Sequence, residues 1–461
     1  MYNIAIIGSG PGGYVAAIRA KQLGFNVVVI EKAELGGTCL NWGCIPTKAL
    51  LKSASVYKYI MNASHYGIEA ATPTADFGTI IARSRSVADT MNKGINFLFK
   101  KNKIDVVQGV GKLLDNKTIE VTDEDGSKTL IEAEHIILAT GARSRDLPNI
   151  KRDHKKIIGY REAMTLTKQP KSMLVIGSGA IGMEFAYFYK TIGTDITLVE
   201  FMPDILPVED KELTKLMTRE LKKMKMKVMT SSSVTAVDTS GEGCISTIQT
   251  PKGIETVESE IVLMAAGVIT NIENIGLEDI GVKTERGKII VDEYYKTSVD
   301  GIYAIGDIVP GQALAHVASA EGICCVEKIA GLSPTPVDYA NVPGCTYCSP
   351  EIASVGLTEE KAIAQGYNLK IGRFPFTASG KATASGNKEG MIKVILNADN
   401  DEILGAHFMG ENVTEMISEI VVAKKMHVKG YDIMKAIHPH PTMSEAVMEA
   451  FEAAYNECIH I

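Results

Sequence analysis

Two stretches 169 positions apart (177 − 8) carry one pattern, and that repeat restricts the fold of this 461-residue chain more than anything else in it. In the first, the β-branched run Asn3–Ile7 enters Gly8-Ser-Gly10-Pro-Gly-Gly13. A helical pattern over Tyr14–Leu23 follows, then the apolar run Asn26–Ile30 and Glu31. In the second, Ser172–Ile176 enters Gly177-Ser-Gly179-Ala-Ile181-Gly182, a helical pattern, Asp195–Val199 and Glu200. The acid follows the first glycine by 23 positions in both copies (31 − 8 and 200 − 177). A lone GxGxxG says little, but here each copy sits between strand and helix periodicity with an acid at the expected distance. The first glycine permits the turn. The second lets backbone N–H groups approach a pyrophosphate at the helix N-terminus, and the third lets helix and strand pack closely. The repeat predicts an α/β chain with two Rossmann-like dinucleotide-binding domains.

Glu31 and Glu200 are each placed to hydrogen-bond a ribose diol. A carboxylate there repels a 2′-phosphate, and Phe201-Met202 offer no arginine to hold one, so the second domain is expected to prefer NAD over NADP.

Only eight residues after Glu31 stands Cys39, in Gly36-Gly-Thr-Cys39-Leu-Asn-Trp-Gly-Cys44-Ile-Pro-Thr-Lys48. No further ligands at zinc spacing lie nearby, so no metal is expected. On a single helix the two cysteines would lie a little over one turn apart. A backbone adjustment that brings their Cα atoms within about 7 Å would let them close into a disulfide. We read a redox disulfide, since structural disulfides are rare in reducing compartments. A dithiol exchanges electron pairs poorly with nicotinamide, so a flavin is the sensible intermediary. The dinucleotide whose reactive ring meets the cysteines is then FAD in the first domain, with NAD in the second.

Charge excludes other partners. With 48 basic and 55 acidic side chains and no basic stripe, neither nucleic acid nor a membrane surface is expected. No apolar run approaches the roughly 20 residues that span a bilayer. Met1–Gly8 passes straight into a predicted strand, which leaves no room for a secretion signal, and a cytoplasmic location is expected.

Taken together, these motifs resemble the class I pyridine nucleotide–disulfide oxidoreductases, and the likeness runs through essentially the whole chain. It includes the cysteine segment, Ala139-Thr-Gly141, the second glycine turn with Glu200, Tyr303-Ala-Ile-Gly-Asp307, Leu314-Ala-His316 and His438-Pro-His440-Pro-Thr-Met-Ser-Glu445. Within the family it is strongest to members that oxidise dihydrolipoamide. By that resemblance Cys39 is the interchange thiol and Cys44 the charge-transfer thiolate. Lys48 lies near the reactive flavin nitrogen, paired with Glu184, and Asp307 binds the ribityl chain. Ala313, Leu314, Ala315 and His316 line the flavin, as do Lys32, Gly37, Thr38, Gly111, Thr140 and Gly141. Ile181 and Gly267 stand beside the NAD.

His440 also fits on chemical grounds, because dithiol oxidation needs a base working near neutral pH. Pro441 holds it extended, with a cis bond one option. Glu445 is expected to orient the imidazole, a reading favoured by the resemblance over the other one open here, that Thr442-Met-Ser-Glu445 is a capping box for a helix over Met443–Tyr455.

The resemblance implies an FAD-binding domain over 1–144 and 271–341, an NAD-binding domain over 145–270, and a C-terminal α+β dimerisation domain over 342–461. It implies a homodimer in which His440 of one chain serves Cys39 of the other. Its partners would be the lipoyl-bearing acyltransferase subunits of 2-oxo acid dehydrogenase complexes. Three features depart from the pattern. Trp42 sits between the cysteines, Val268-Ile-Thr270 lacks an arginine common after Gly267, and Cys345-Thr-Tyr-Cys348 forms an extra CxxC expected to be buried packing. A related disulfide reductase with another substrate, or a flavin-binding scaffold, is the alternative reading.

Overall fold

A computed structural model describes all residues, 1–461, and folds them as two compact units. The first comprises Met1–Leu50, Phe77–Arg145 and Gly267–Tyr339. It begins with β1 (Tyr2–Ile7), α1 (Pro11–Gln22), β2 (Val27–Glu31), α2 (Gly37–Trp42), α3 (Cys44–Met61, whose later turns belong to the second unit) and α4 (Phe77–Asn102). Strands β3 (Asp105–Gln108), β4 (Val110–Leu113), β5 (Thr118–Thr122) and β6 (Lys128–Leu138) complete a seven-stranded sheet ordered β3-β2-β1-β6-β5-β4, with Ile302–Ala304 pairing to β6.

The inner strands are parallel and buried on both faces, which is why they read as unbroken Val/Ile runs rather than alternating ones. Ile4, Ile6, Val27 and Val29 feed one apolar layer, and Ala5, Ile7, Val28 and Ile30 feed the opposite one. Helix α1 starts at Pro11, three residues before the sequence pattern suggested, because proline suits the first helical position. Its small residues Gly12, Ala16 and Ala20 admit the Ala315–Ile329 helix so closely that a Cβ on Gly322 would lie 2.8 Å from the Gly12 carbonyl oxygen.

The second unit comprises Leu51–Asp76, Asp146–Ala266 and Ala340–Ile461. It repeats the parallel arrangement in a five-stranded sheet, in the order Lys227–Met229, Asp195–Val199, Ser172–Ile176, Ile261–Met264 and Ile157–Ile158. A three-stranded antiparallel sheet (Ser233–Asp238, Cys244–Thr250, Gly253–Ser259) packs against it through Val234, Cys244 and Ile248. The C-terminal part is an antiparallel five-stranded sheet of Gly344–Thr346, Glu351–Gly356, Ile403–Gly410, Met391–Asn397 and Leu369–Pro375. Helices Val413–Lys425 and Glu445–Ala454 cover one face. The Glu445–Ala454 helix lies directly on that sheet: a Cβ on Gly372 would come 1.7 Å from the Ala450 carbonyl oxygen.

Candidate active site

Both glycine turns form the same cradle. Added to Gly13, a Cβ would sit 1.9 Å from the Gly8 carbonyl oxygen, and added to Gly182 it would sit 2.0 Å from that of Gly177, so the third glycine is required by close packing. Gly10 and Gly179, by contrast, face open space with nothing within 4 Å. Each caps a helix without a side-chain hydrogen bond, leaving its first N–H groups free for an anion.

The acids repeat as faithfully. Glu31 accepts from the Ser9 N–H (2.9 Å) and hydroxyl (2.6 Å) and from the Ala33 N–H (3.0 Å). Glu200 accepts from the Ser178 N–H (2.8 Å) and hydroxyl (2.6 Å) and from the Met202 N–H (2.8 Å). Each carboxylate keeps lone pairs for a ribose diol. Both cradles therefore fit a dinucleotide. Phe201, next to Glu200, is exposed and brings no cation to a 2′-phosphate.

The cysteines occupy two helices rather than one. Gly43, at φ −143° and ψ −111°, ends α2 and lets Cys44 open α3. That break is the backbone adjustment a shared helix would have lacked, and it puts the Cys39 and Cys44 side chains in hydrogen-bond contact. Cys44 against it, and then burial, push the Cys39 thiol well up, while the charge of Lys48 opposes them. The start of α3 offers its partial positive end to a thiolate on Cys44. Trp42 is fixed from outside, with its ring 4.1 Å from the Arg85 guanidinium and its N–H 3.4 Å from Glu34, and Arg85 also donates to the Asn41 carbonyl (2.6 Å).

In the second unit the His440–Pro441 bond is cis, and His440 Nδ1 lies 2.7 Å from Glu445 Oε1. Glu445 Oε2 accepts from the Thr442 N–H at 2.7 Å, so the one carboxylate contacts both the imidazole and the turn. Burial tends to raise the Glu445 pKa, but the Thr442 N–H and His440 hold it below the ordinary value. His438 is paired in the same way with Glu419 (2.9 Å), which raises its pKa. Exposure separates the two histidines: the His438 side chain is 7% exposed and that of His440 78%, so only His440 presents its ring outward.

Comparison with known proteins identifies the family. Residues 2–322 match the model of the pyridine nucleotide-disulphide oxidoreductase family, and residues 342–451 match that family's dimerisation domain. The chain belongs to the pyridine nucleotide–disulphide oxidoreductases. A dihydrolipoyl dehydrogenase of Zymomonas mobilis is 46% identical, over 100% of this chain and 99% of that protein. One from Bacillus subtilis is 44% identical over the same shares. The crystal structure of LpdA from Mycobacterium tuberculosis superposes with a TM-score of 0.91 at 27% identity, covering 98% of this chain and 99% of that one. FAD and NAD are the cofactors of this flavoprotein oxidoreductase.

The remaining expected site residues of this disulphide oxidoreductase lie as follows. Lys32 is exposed beside Glu31, and Gly37 is pressed against Gly10 with Thr38 following in α2. Gly111 lies on β4 over Ile7. Thr140 and Gly141 are tied to Asn271 by three hydrogen bonds. Asp307 follows Gly306 in a short 3-10 turn, its pKa raised by burial against the opposing charge of Lys288. Ala313 and Leu314 lead into the helix at Ala315, with His316 exposed in its first turn. In the second unit Ile181 is 41% exposed beside the second cradle, and buried Glu184 accepts from the Tyr347 N–H at 3.1 Å.

Several neighbours were not foreseen. Arg145 brings its guanidinium beside Gly267, a cation near the position where Val268-Ile-Thr270 lacks one. Glu321 holds the Asp307 turn through the Gly306 N–H (2.6 Å). Tyr14 stands near enough to Cys39 for its pKa to rise, after burial, from that proximity. Ser9 and Ser178 were legible as the shared serine of both G-S-G turns, whereas the others are long-range contacts with no local signal. Neither cysteine of the CxxC is in a disulfide. Cys345 lies on a strand ending at Thr346, and buried Cys348 bonds to the Pro350 carbonyl. No helix is long and apolar enough to cross a membrane.

Proposed function

We propose that this chain is an NAD-dependent dihydrolipoyl dehydrogenase, which oxidises protein-bound dihydrolipoamide to lipoamide. The contact between Cys39 and Cys44 at the junction of two helices carries the reading, and the names of the two close relatives supply the substrate class. With the Cys39–Cys44 disulfide formed, His440 removes a proton from one substrate thiol, and the substrate sulfur attacks Cys39. The Cys39–Cys44 bond breaks and Cys44 leaves as a thiolate, favoured by the N-terminus of α3. The second substrate thiol gives up its proton as its sulfur displaces Cys39 from the mixed disulfide, and Cys39 takes that proton and leaves as a thiol. Lipoamide departs, and two electrons remain on the cysteine pair. Glu445 steadies the imidazolium formed when His440 takes the proton. FAD in the first cradle supplies the two-electron carrier between the dithiol and NAD⁺ in the second.

In this reading Gly8, Gly10, Gly13, Glu31 and Asp307 hold FAD, and Gly177, Gly179, Gly182, Glu200 and Gly267 hold NAD. The three-domain division given above completes the proposal. So does a cytoplasmic homodimer that places His440 against the partner's disulfide and serves lipoyl-bearing acyltransferases. The test is NADH formation from dihydrolipoamide with NAD⁺, run beside NADP⁺. Fast turnover specific to NAD⁺, abolished in Cys44→Ser while FAD stays bound, is the expected result. A Cys44→Ser enzyme with full turnover, or equal use of NADP⁺, would overturn it.

A further inference from the structure

We propose that the C-terminal tail closes a divalent-metal site of the zinc type, separate from the redox centre. Glu449 and Glu452 stand one turn apart on one face of the Glu445–Ala454 helix. Beyond it the chain doubles back, with the Tyr455 and Glu457 N–H groups bonded to the Glu452 carbonyl (3.0 and 2.9 Å). This return lays Cys458 and His460 over the same face. The ligand atoms of Glu449, Glu452 and Cys458 all lie within 4.8 Å of one another. Cys458 Sγ donates to Glu449 Oε2 at 2.9 Å, while His460 Nδ1 engages the other oxygen, Oε1.

That division gives each group a role. Glu449 is only 4% exposed, on a helix face otherwise made of Ala446, Val447, Ala450 and Phe451. A buried acid needs partners, and this one has gathered a thiol and an imidazole from the tail. Three groups able to carry negative charge therefore converge within 4.8 Å of one another, where a divalent cation would meet all three.

Two carboxylates and one thiolate form a borderline donor set that suits Zn²⁺ or Cd²⁺, whereas Ca²⁺ would need about six to eight oxygens. Tetrahedral zinc with bonds of about 2.0–2.3 Å holds its donors roughly 3.3–3.8 Å apart. Half-buried Glu452 and Cys458 need move only about 1 Å to reach that spacing. His460 keeps Glu449 Oε1, leaving Oε2 for the metal, and water takes the fourth position. Binding releases the Cys458 thiol proton into solvent.

The test uses full-length, FAD-loaded protein carrying Cys39→Ser and Cys44→Ser, so that the redox thiols take no metal. Dialysis against micromolar Zn²⁺ should leave one Zn²⁺ per chain, and Cd²⁺ should give a thiolate charge-transfer band. Adding Cys458→Ser should remove the band and weaken binding at least about tenfold, and Glu452→Gln, at a less buried position, should weaken it similarly. In the otherwise unaltered enzyme, Zn²⁺ should slow iodoacetamide labelling of Cys458 by about the same factor. Equal metal content with and without Cys458, or a labelling rate indifferent to Zn²⁺, would overturn the proposal.

Discussion

Replacing Glu321 by Gln should change how the stability of this protein depends on pH. Glu321 lies in the Ala315–Ile329 helix and is 1% exposed. It accepts from the Gly306 N–H and from the Tyr339 hydroxyl, both at 2.6 Å. Burial lifts its carboxyl from 4.5 to about 7, against the two hydrogen bonds that favour the charged form. A carboxyl raised in the fold binds its proton more tightly there than in the unfolded chain. Its contribution is therefore fully present below the unfolded value of 4.5, and is lost as pH climbs through about 7. The gap (7 − 4.5 = 2.5) at about 1.36 kcal/mol per unit amounts to about 3 kcal/mol.

Glutamine keeps an acceptor for Gly306 and cannot ionise, while Tyr339 can turn its hydroxyl toward Tyr295, 3.2 Å away. With an unfolding entropy of about 2 cal/mol/K per residue, a 461-residue chain loses about 1 kcal/mol per degree, so the effect is worth about 3 °C. Calorimetry of both holoproteins should find Tm(Glu321→Gln) minus Tm(wild type) rising by about 3 °C between pH 5 and pH 8.5. Every other titrating group is common to the two proteins and cancels. A difference that stays flat over that range would refute the reasoning.

Three further outcomes are expected. Glu445→Gln keeps the cap on Thr442 but removes the charge 2.7 Å from His440. Because the ring is largely exposed, the loss should sit near the low end for charged hydrogen bonds, about 1.5 kcal/mol, or roughly tenfold in kcat/KM for dihydrolipoamide. NADH oxidation by an artificial acceptor should be unaffected. Lys393→Met leaves Asp210, 0% exposed, without the ammonium 2.9 Å from both its oxygens, and also strips Glu212 and Glu359 of a shared partner. An uncompensated buried charge of this kind costs about 3–5 kcal/mol, read as a lower denaturant midpoint. Gly182→Ala forces a Cβ to within 2.0 Å of the Gly177 carbonyl oxygen. It should raise KM for NAD⁺ at least about tenfold in a protein that stays yellow, and an unchanged KM would count against the second cradle.

What the sequence disclosed follows the range of the forces involved. The cradles were readable because each is built within about 25 residues, and strand, turn, helix and acid are all set by local periodicity and by glycine's missing Cβ. The geometry of Glu31 and Glu200 repeats so closely because the local sequence repeats, down to Ser9 and Ser178. The cysteines were readable as chemistry, but their placement on two helices turned on the backbone of Gly43, which ends one helix just before Cys44 opens the next. For Glu445 the sequence left cap and orienting acid open; its two oxygens meet the Thr442 N–H and His440 Nδ1 separately, and the helix begins at Glu445 rather than Met443. Beyond that range the sequence was silent. Glu321 reaches Gly306 across 15 residues and Arg145 stands over Gly267, while Lys393 meets Asp210 from 183 residues away. Such partners answer to burial, because a charge taken from water must find an opposite charge or a donor wherever the fold supplies one. The same reasoning makes the tail informative. Glu449 has no local excuse for lying beneath the surface among alanines, and Cys458 and His460 are what the chain returns to it. If that group served only to neutralise Glu449, a Glu449→Leu variant would match the parent in stability and nothing in the tail would respond to Zn²⁺; stabilisation of the parent alone by Zn²⁺ would mean the acid is held there to be a ligand.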